Sequence, residues 1–465
     1  MAVCFDYIYS NDSKPLLMTI RKPHLSFWQI INMNVGFFGI QYSFALQQNA
    51  VNPIYKFLGA HNGDLPMLQI AGPITGLLIQ PIIGAMSDKT WLPKWGRRKP
   101  YFLVGALFCS ICLFLFPFSK ELWMAVGLLW ILDAANNTAM EPYRAFVADK
   151  LDSKQQPTGF LAQSFFTGFG QTLGTLSLFL FQLIPFLNKS NANNIPYWVF
   201  ASFFFGAVCS ITSVMWSNKT TPEIPPTTEE LAELRSKKIK LSTPFIEIFH
   251  AVKEMPTNMW RLFFVYLFQW FALKCYWDYK DLTIAKSIFK TTDNSAANKI
   301  YQEAVGWGGF ISGWTNIITF ISAFALVWFA RKYGAKLVHC TCLLLAAGAL
   351  FTFPHIGDKY LVLVPLIGFG IAWASMMGVP YLLIVNDIPK SRYGVYMGII
   401  NMMIVIPMLI YSLSFGAIFN NFLGKEPVNA IYFGAAFLLI AAVLTLLIKA
   451  GKPTDEIVLP IGGGH

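Results

Sequence analysis

Long apolar stretches recur along this chain. Ten of them contain no Asp, Glu, Lys or Arg: residues 25–55, 65–87, 101–119, 159–188, 190–218, 304–330, 337–357, 360–386, 393–424 and 427–448. A helix of about 20 mostly apolar residues crosses the hydrocarbon core of a bilayer. The pattern therefore predicts ten membrane-spanning helices.

Two more stretches, 122–148 and 259–280, are also mostly apolar but contain charged residues. With these two, the sequence predicts twelve spans. A long polar stretch separates the sixth span from the seventh. The sequence thus predicts an N-terminus at 1–24, a six-helix half at 25–218, a linker at 219–258, a second six-helix half at 259–449 and a tail at 450–465.

A weak internal repeat supports the two halves. The pair Pro142-Tyr143 returns 238 residues later as Pro380-Tyr381, and the same offset maps Gly96 onto Gly334. Two repeated halves with a binding site between them are typical of secondary transporters.

Composition and charge agree with a membrane location. The chain is 55% hydrophobic and only 13% charged, too little polar surface for a soluble protein of 465 residues. Its net charge of +11 is concentrated between spans two and three, six and seven, and eight and nine. Because cytoplasmic loops are enriched in Lys and Arg, this distribution predicts that both termini, the linker and the tail are cytoplasmic.

The loop after the second span reads Gly84-Ala85-Met86-Ser87-Asp88-Lys89 and then Gly96-Arg97-Arg98-Lys99-Pro100-Tyr101. It resembles the loop motif of the major facilitator superfamily. The chain resembles bacterial relatives of the sucrose:proton symporters, within the glycoside-pentoside-hexuronide:cation symporter group. The resemblance lies in the Gly-Arg-Arg form of this loop and in the residues of 36–47, 72–84 and 396–407. The resemblance implies an all-α integral membrane protein of the major facilitator fold, in a bacterial inner membrane.

We interpret Asp88, Arg97 and Arg98 as a cytoplasmic gate, whose ion pairs would join the two halves in one access state. The alternative is that these basic residues only fix the topology of the loop.

The fourth span carries three charged residues, Asp133, Glu141 and Arg144. A charge at the bilayer centre costs about 2.5 to 3.5 kcal/mol on insertion scales, so such residues normally line a cavity or pair internally. At 100° per residue, Asp133, Asn137 and Arg144 share one stripe of the helix, with Asn136 and Glu141 at its edges. We therefore expect a polar face that looks into a cavity.

In the family that the chain resembles, the Asp of this Asp-x-x-Asn-Asn segment is the proton carrier and the Arg eleven residues later is a substrate or coupling partner. The resemblance implies these roles for Asp133 and Arg144. Along one straight helix the two side chains are about 16 Å apart, too far for a direct ion pair. A structural acid at Asp133, and an ion pair of Arg144 with Glu141, are the alternatives.

A neutral ligand rich in hydroxyl groups is bound mainly by planar amides and aromatic faces. Intramembrane amides are the candidate sugar ligands, although each could equally join helices to one another. The candidates are Asn34, Gln41, Gln48, Asn136, Asn137, Gln163 and Asn401.

The seventh span contains Lys274 and Asp278 at a spacing that permits an ion pair, followed by Lys280 and Asp281. We interpret the first two as a candidate outer gate. The alternative is a cluster of paired charges at the membrane interface, whose lysines extend toward the membrane surface.

Taken together, the sequence predicts proton-coupled symport of a disaccharide such as sucrose, maltose or a related glucoside. Sodium coupling is the nearest alternative, but the second span has no acid to help bind a hard cation. A polytopic membrane enzyme is a distant alternative, since clustered acids and His-rich motifs are missing from the sequence. We expect no metal or cofactor besides the coupling proton, no nucleic acid partner, and a monomer in contact with lipid.

Overall fold

The computed structural model describes residues 22, 24–152, 154–191, 195–227, 229, 231–232, 250–384, 387–388 and 393–449. Most of the predicted linker, the N-terminus and the tail lie outside these ranges. The described residues form twelve long helices: α1 (Phe27–Phe57), α2 (Ala71–Lys89), α3 (Lys99–Leu115), α4 (Leu122–Lys150), α5 (Gln156–Gln182), α6 (Tyr197–Thr220), α7 (Thr257–Ser287), α8 (Lys299–Tyr333), α9 (Ala335–Thr352), α10 (Leu363–Ile384), α11 (Tyr393–Asn421) and α12 (Pro427–Thr445).

Several helices begin at residues suited to a helix N-terminus. Ser26 and Gln29 form a capping box at the start of α1, each side chain bonding the backbone N–H of the other. Helices α3, α5 and α12 each have a proline in the first turn, where the missing N–H costs no intrahelical bond. The starts of these four helices therefore follow from local sequence.

Within the described ranges, eight stretches are long and apolar enough to cross a membrane: Leu65–Lys89, Lys99–Phe118, Tyr197–Thr220, Lys299–Leu326, Ala335–His355, Leu363–Ile384, Gly398–Asn421 and Pro427–Thr445. The four other long helices are α1, α4, α5 and α7. They carry most of the buried polar side chains discussed below, which lowers their hydropathy.

The helix packing repeats between the two halves. In the first half α1 packs against α5 and α6, and α4 packs against α2 and α3; in the second half α7 packs against α11 and α12, and α10 packs against α8 and α9. Across the halves, α5 contacts α8 and α11 contacts α2. Adding six to each helix number thus maps one half onto the other.

The repeated glycines occupy equivalent turns. Gly96 precedes α3 with φ of +79°, and Gly334 precedes α9 with φ of +86°. Both values lie in a backbone region that glycine enters without steric cost. The internal repeat therefore has a conformational basis at these two positions.

We call the end of the bundle that carries Gly96 and the Arg97–Arg98 pair the basic end, and the other the opposite end. At the opposite end the halves are in close contact. The Tyr279 hydroxyl donates to the Asn62 carbonyl at 2.9 Å, and Gln182 Nε2 donates to the Gln302 carbonyl at 2.7 Å. A Cβ on Gly309 would lie only 2.7 Å from the Thr175 carbonyl oxygen, so the lack of a side chain permits this approach.

Candidate functional site

Asp133 lies on α4 with only 2% of its surface exposed. Three donors from the first half surround its carboxylate. Gln47 Nε2 on α1 donates to Oδ1, and the Thr75 hydroxyl on α2 donates to Oδ2. Asn137 Nδ2, one turn further along α4, donates to Oδ2 at 3.0 Å. Burial of this carboxyl is thus accompanied by hydrogen bonds from three helices.

A chain of amides leads from this carboxylate to the second half. Asn137 Oδ1 accepts a hydrogen bond from Gln80 Nε2 on α2 at 2.7 Å. Gln80 Oε1 in turn accepts from Asn401 Nδ2 on α11 at 3.0 Å. Asp133 is therefore connected to α11, across the boundary between the halves, through side-chain hydrogen bonds alone.

Asp133 faces a cavity between the halves, which we call the central cavity. Its wall includes side chains of both halves: Gln47, Gln48, Gln80, Asp133 and Asn137 from the first, and Lys274, Trp277 and Asp278 from the second. A neighbouring cavity, the side cavity, is lined by Ala45, Gln48, Asn49, Gln171, Thr175, Trp277, Asn316 and Trp373. Gln48 and Trp277 line both cavities.

The two cavities differ in chemistry. Amides line both cavities, but the ionisable side chains Asp133, Lys274 and Asp278 line only the central one, and the side cavity adds a second indole, that of Trp373. The indole rings of Trp277 and Trp373 are 5.6 Å apart between centroids and nearly perpendicular. Amide groups beside aromatic faces suit a ligand with many hydroxyl groups.

Several amides expected to bind ligand are outside the walls of both cavities. Gln41 accepts from Gln171, Asn136 donates to Gln47, and Asn34 bonds the backbone of its own helix. Gln163 is buried in the part of α5 nearer the basic end, and Asn401 donates to Gln80. Of the predicted sugar ligands, Gln48 and Asn137 line a cavity.

Arg144 also lies outside both linings. Its guanidinium is 3.9 Å from the Glu141 carboxylate, one turn away on α4. An ion pair with Glu141 is the alternative role that the sequence suggested for Arg144. The position of Arg144 in this conformation does not support a contact with substrate.

The charged residues of α7 form two buried ion pairs. Lys274 Nζ is 3.1 Å from Asp278 Oδ1, and Lys280 Nζ is 3.3 Å from Asp281 Oδ1. The alternative of lysines that extend to the membrane surface is wrong for Lys280, which is 2% exposed. Its ammonium instead bonds the Gly308 carbonyl at 3.1 Å and the Ser312 hydroxyl at 2.7 Å, so it is satisfied inside the bundle.

Residues 34–412 match the pattern that defines the Major Facilitator Superfamily. The match spans well over half of the chain, from α1 into α11. This chain belongs to the Major Facilitator Superfamily. It is therefore a multi-pass membrane transporter and not an enzyme, as the sequence predicted.

Relatives of this transporter include plant proteins. Sucrose transport protein SUT5 of Oryza sativa is 24% identical over 482 aligned residues, which cover 92% of this chain and 88% of that protein. Sucrose transport protein SUC4 of Arabidopsis thaliana is 24% identical and covers 91% of this chain and 89% of its own.

Solved structures confirm the fold. A nucleoside transporter, NupG, matches with a TM-score of 0.66 at 14% identity, covering 91% of this chain and 98% of its own. A D-xylose-proton symporter matches with a TM-score of 0.63 at 14% identity, covering 91% of this chain and 97% of its own. At these identities the likeness concerns the twelve-helix fold alone.

The transporter's loop motif at the basic end forms a compact cluster. Arg98 bonds Asp88 at 2.6 Å and Asp149 at 2.8 Å, and Arg97 is 3.4 Å from Asp88. The Glu223 carboxylate, at the start of the linker, accepts the backbone N–H groups of residues 97, 98 and 99 at 2.8 to 2.9 Å. In this conformation the ion pairs of Asp88, Arg97 and Arg98 join elements of the first half rather than the two halves.

Several residues around Asp133 and the side cavity were not predicted from the sequence. Gln47, Thr75 and Gln80 bond the Asp133 cluster, and Asn49, Gln171, Asn316 and Trp373 line the side cavity. The helical stripe of α4 identifies one polar face, but it carries no information about which residues of α1, α2 or α8 will oppose it.

Proposed function

We propose that this transporter carries a neutral disaccharide, such as sucrose, maltose or a related glucoside, by proton-coupled symport with alternating access. Asp133 is the proton-binding residue in this proposal. The walls of the central and side cavities supply the groups that bind the sugar in this proposal.

The observation that carries the proposal is the position of Asp133. It is a buried carboxyl that faces a cavity shared by both halves, and the amide chain through Asn137 and Gln80 connects it to α11. A proton on this carboxyl would change its hydrogen bonds with Gln47, Thr75 and Asn137, because a protonated carboxyl is itself a donor. Protonation would thus act on a network that spans both halves.

The lining of the side cavity supports a sugar as the cargo. The amide groups of Gln48, Asn49, Gln171 and Asn316 line this cavity together with the Trp277 and Trp373 rings. Such surfaces bind hydroxyl groups and the apolar face of a pyranose ring without requiring charge. The likeness to plant sucrose transport proteins points in the same direction.

Proton coupling is favoured over sodium coupling by what surrounds Asp133. In this arrangement three hydrogen-bond donors face its carboxylate, whereas a hard cation needs several oxygen ligands in their place. Among the described side chains no group of three or more His, Cys, Asp and Glu is arranged to hold a metal ion.

Uptake by proteoliposomes tests the proposal directly. Purified transporter would be supplied with radiolabelled sucrose, maltose and xylose, with an inward proton gradient, an inward sodium gradient or none. We expect accumulation of a disaccharide above its external concentration with the proton gradient alone. Accumulation with the sodium gradient alone would establish the alternative coupling ion, and a lack of disaccharide uptake in all three conditions would overturn the proposal.

A further inference from the structure

Asn49 belongs to the first half but is hydrogen-bonded by the second. Its side-chain oxygen, Oδ1, accepts from Lys280 Nζ on α7 at 3.2 Å and from the Ser312 hydroxyl on α8 at 2.8 Å. Its amide nitrogen donates to the Ala45 carbonyl on α1 at 3.0 Å. Asn49 therefore links three helices, α1, α7 and α8, and two of its bonds cross between the halves.

The same side chain lines the side cavity, together with Gln48 and Trp277. An amide carbonyl oxygen has two lone pairs, so two donors fill its capacity. The Ser312 hydroxyl has a single hydrogen and also lies 3.0 Å from the Gly308 carbonyl, but its contact with Asn49 is the shorter one. In this conformation, which is closed at the opposite end, the Asn49 oxygen thus has no remaining lone pair for a ligand.

We infer that Asn49 is a sugar ligand whose availability depends on conformation. A sugar hydroxyl in the side cavity can donate to Asn49 only after Lys280 or Ser312 has left, and both leave when α7 and α8 separate from α1 at the opposite end. Sugar and the closed opposite end therefore compete for one oxygen atom. The inference rests on the proposed sugar transport.

Competition of this kind has a defined thermodynamic consequence. A ligand shifts a conformational equilibrium only by the difference in its affinity for the two states. Bound sugar should therefore favour opening at the opposite end, and by reciprocity the state closed there should bind sugar more weakly. A transporter with this property releases sugar more readily toward the basic end than toward the opposite end.

Hydrogen exchange of the full-length transporter in detergent measures this shift. Peptides from the end of α7 and the start of α8 report on the opposite end, and α9, which packs within the second half, serves as reference. Radiolabelled sucrose, or maltose if the uptake panel selects it, is first shown to bind. We expect saturating sugar to raise exchange at the reporting peptides about fivefold, the effect of one hydrogen bond, and to leave the reference unchanged.

Two substitutions in the first half provide a matched comparison. Asn49→Ala should raise exchange without sugar and abolish the response to sugar. Asn52→Ala removes a different bond across the same end, from Asn52 to Asp278, at a residue outside both cavity linings. It should also raise exchange without sugar but retain the response. A response that persists in Asn49→Ala would overturn the inference.

Ser312→Ala separates competition from a general structural role, because Asn49 remains intact. With only Lys280 bonded to it, the Asn49 oxygen keeps one free lone pair in the closed state. Sugar should then bind about fivefold more tightly than to the wild type while the exchange response disappears. Unchanged affinity with an unchanged response would refute the inference even if sugar transport is established. Failure of every sugar to bind the wild type would instead refute the proposed function, and this inference with it.

Discussion

Asn52 on α1 donates a hydrogen bond of 3.0 Å to the Asp278 carboxylate on α7, whose own counter-ion, Lys274, lies one turn away on the same helix. The ion pair is thus confined to the second half, and the bond between the halves runs from an amide to one member of the pair. Opening of the opposite end would break this amide bond without separating the two charges. An end closed in this way can open without exposing an unpaired buried charge.

Loss of one member of the Lys274–Asp278 ion pair should destabilise the protein. Lys274→Met leaves the buried Asp278 carboxylate without its counter-ion, which should lower the free energy of unfolding by about 3 to 5 kcal/mol. The double change Lys274→Met with Asp278→Asn removes both charges and keeps an acceptor for Asn52, so most of the loss should be recovered. Thermal unfolding of the purified variants in detergent measures both. A single variant as stable as the wild type would show that the pair is dispensable.

Asp133→Asn tests the proton site. The substitution mimics the protonated carboxyl, so sugar binding and exchange should persist while coupling to the proton gradient is lost. In counterflow the variant should exchange labelled sugar, whereas in gradient-driven uptake its accumulation ratio should fall to about one. Both assays use the same liposomes, so the first controls for folding. Normal accumulation by this variant would remove Asp133 from the mechanism.

Asn137 and Asn34 form a matched pair of buried amides. Asn137 lines the central cavity and bonds Asp133, whereas Asn34 donates to the Ile30 carbonyl of its own helix. We expect Asn137→Ala to weaken sugar affinity about fivefold or more and Asn34→Ala to leave it within about twofold. Equilibrium binding of labelled sugar to both purified variants provides the measurement. Equal affinities would mean that both amides serve the helix bundle alone.

The double change Arg97→Ala with Arg98→Ala tests the basic-end gate. Neither arginine is in the wall of the central or the side cavity, so sugar binding should be nearly unchanged. Uptake should slow on the order of tenfold, because the pairs with Asp88 and Asp149 are lost. Arg97→Ala alone removes only the 3.4 Å contact with Asp88 and should have the smaller effect. Binding and uptake would be compared in one preparation. Loss of binding in a folded double variant would contradict the gate assignment.

The twelve-helix architecture of this protein follows from its amino-acid sequence alone. Twelve apolar stretches became twelve helices because a chain in a bilayer must satisfy its backbone hydrogen bonds within each span. Local residues such as Ser26 and the first-turn prolines fixed where helices begin. Asp133 stood out for an equally local reason, since a charge in an apolar span is costly unless it has a function or a partner.

Which polar side chains meet depends on how the helices pack together. Asn136 and Asn137 are adjacent in sequence, yet they point about 100° apart on α4 and bond different partners, Gln47 and Gln80. Lys280 looked able to reach the membrane surface, but Gly308 and Ser312 of α8 satisfy its ammonium inside the bundle. Helical periodicity gives the face on which a side chain lies, whereas the identity of the opposing residue depends on how distant helices pack.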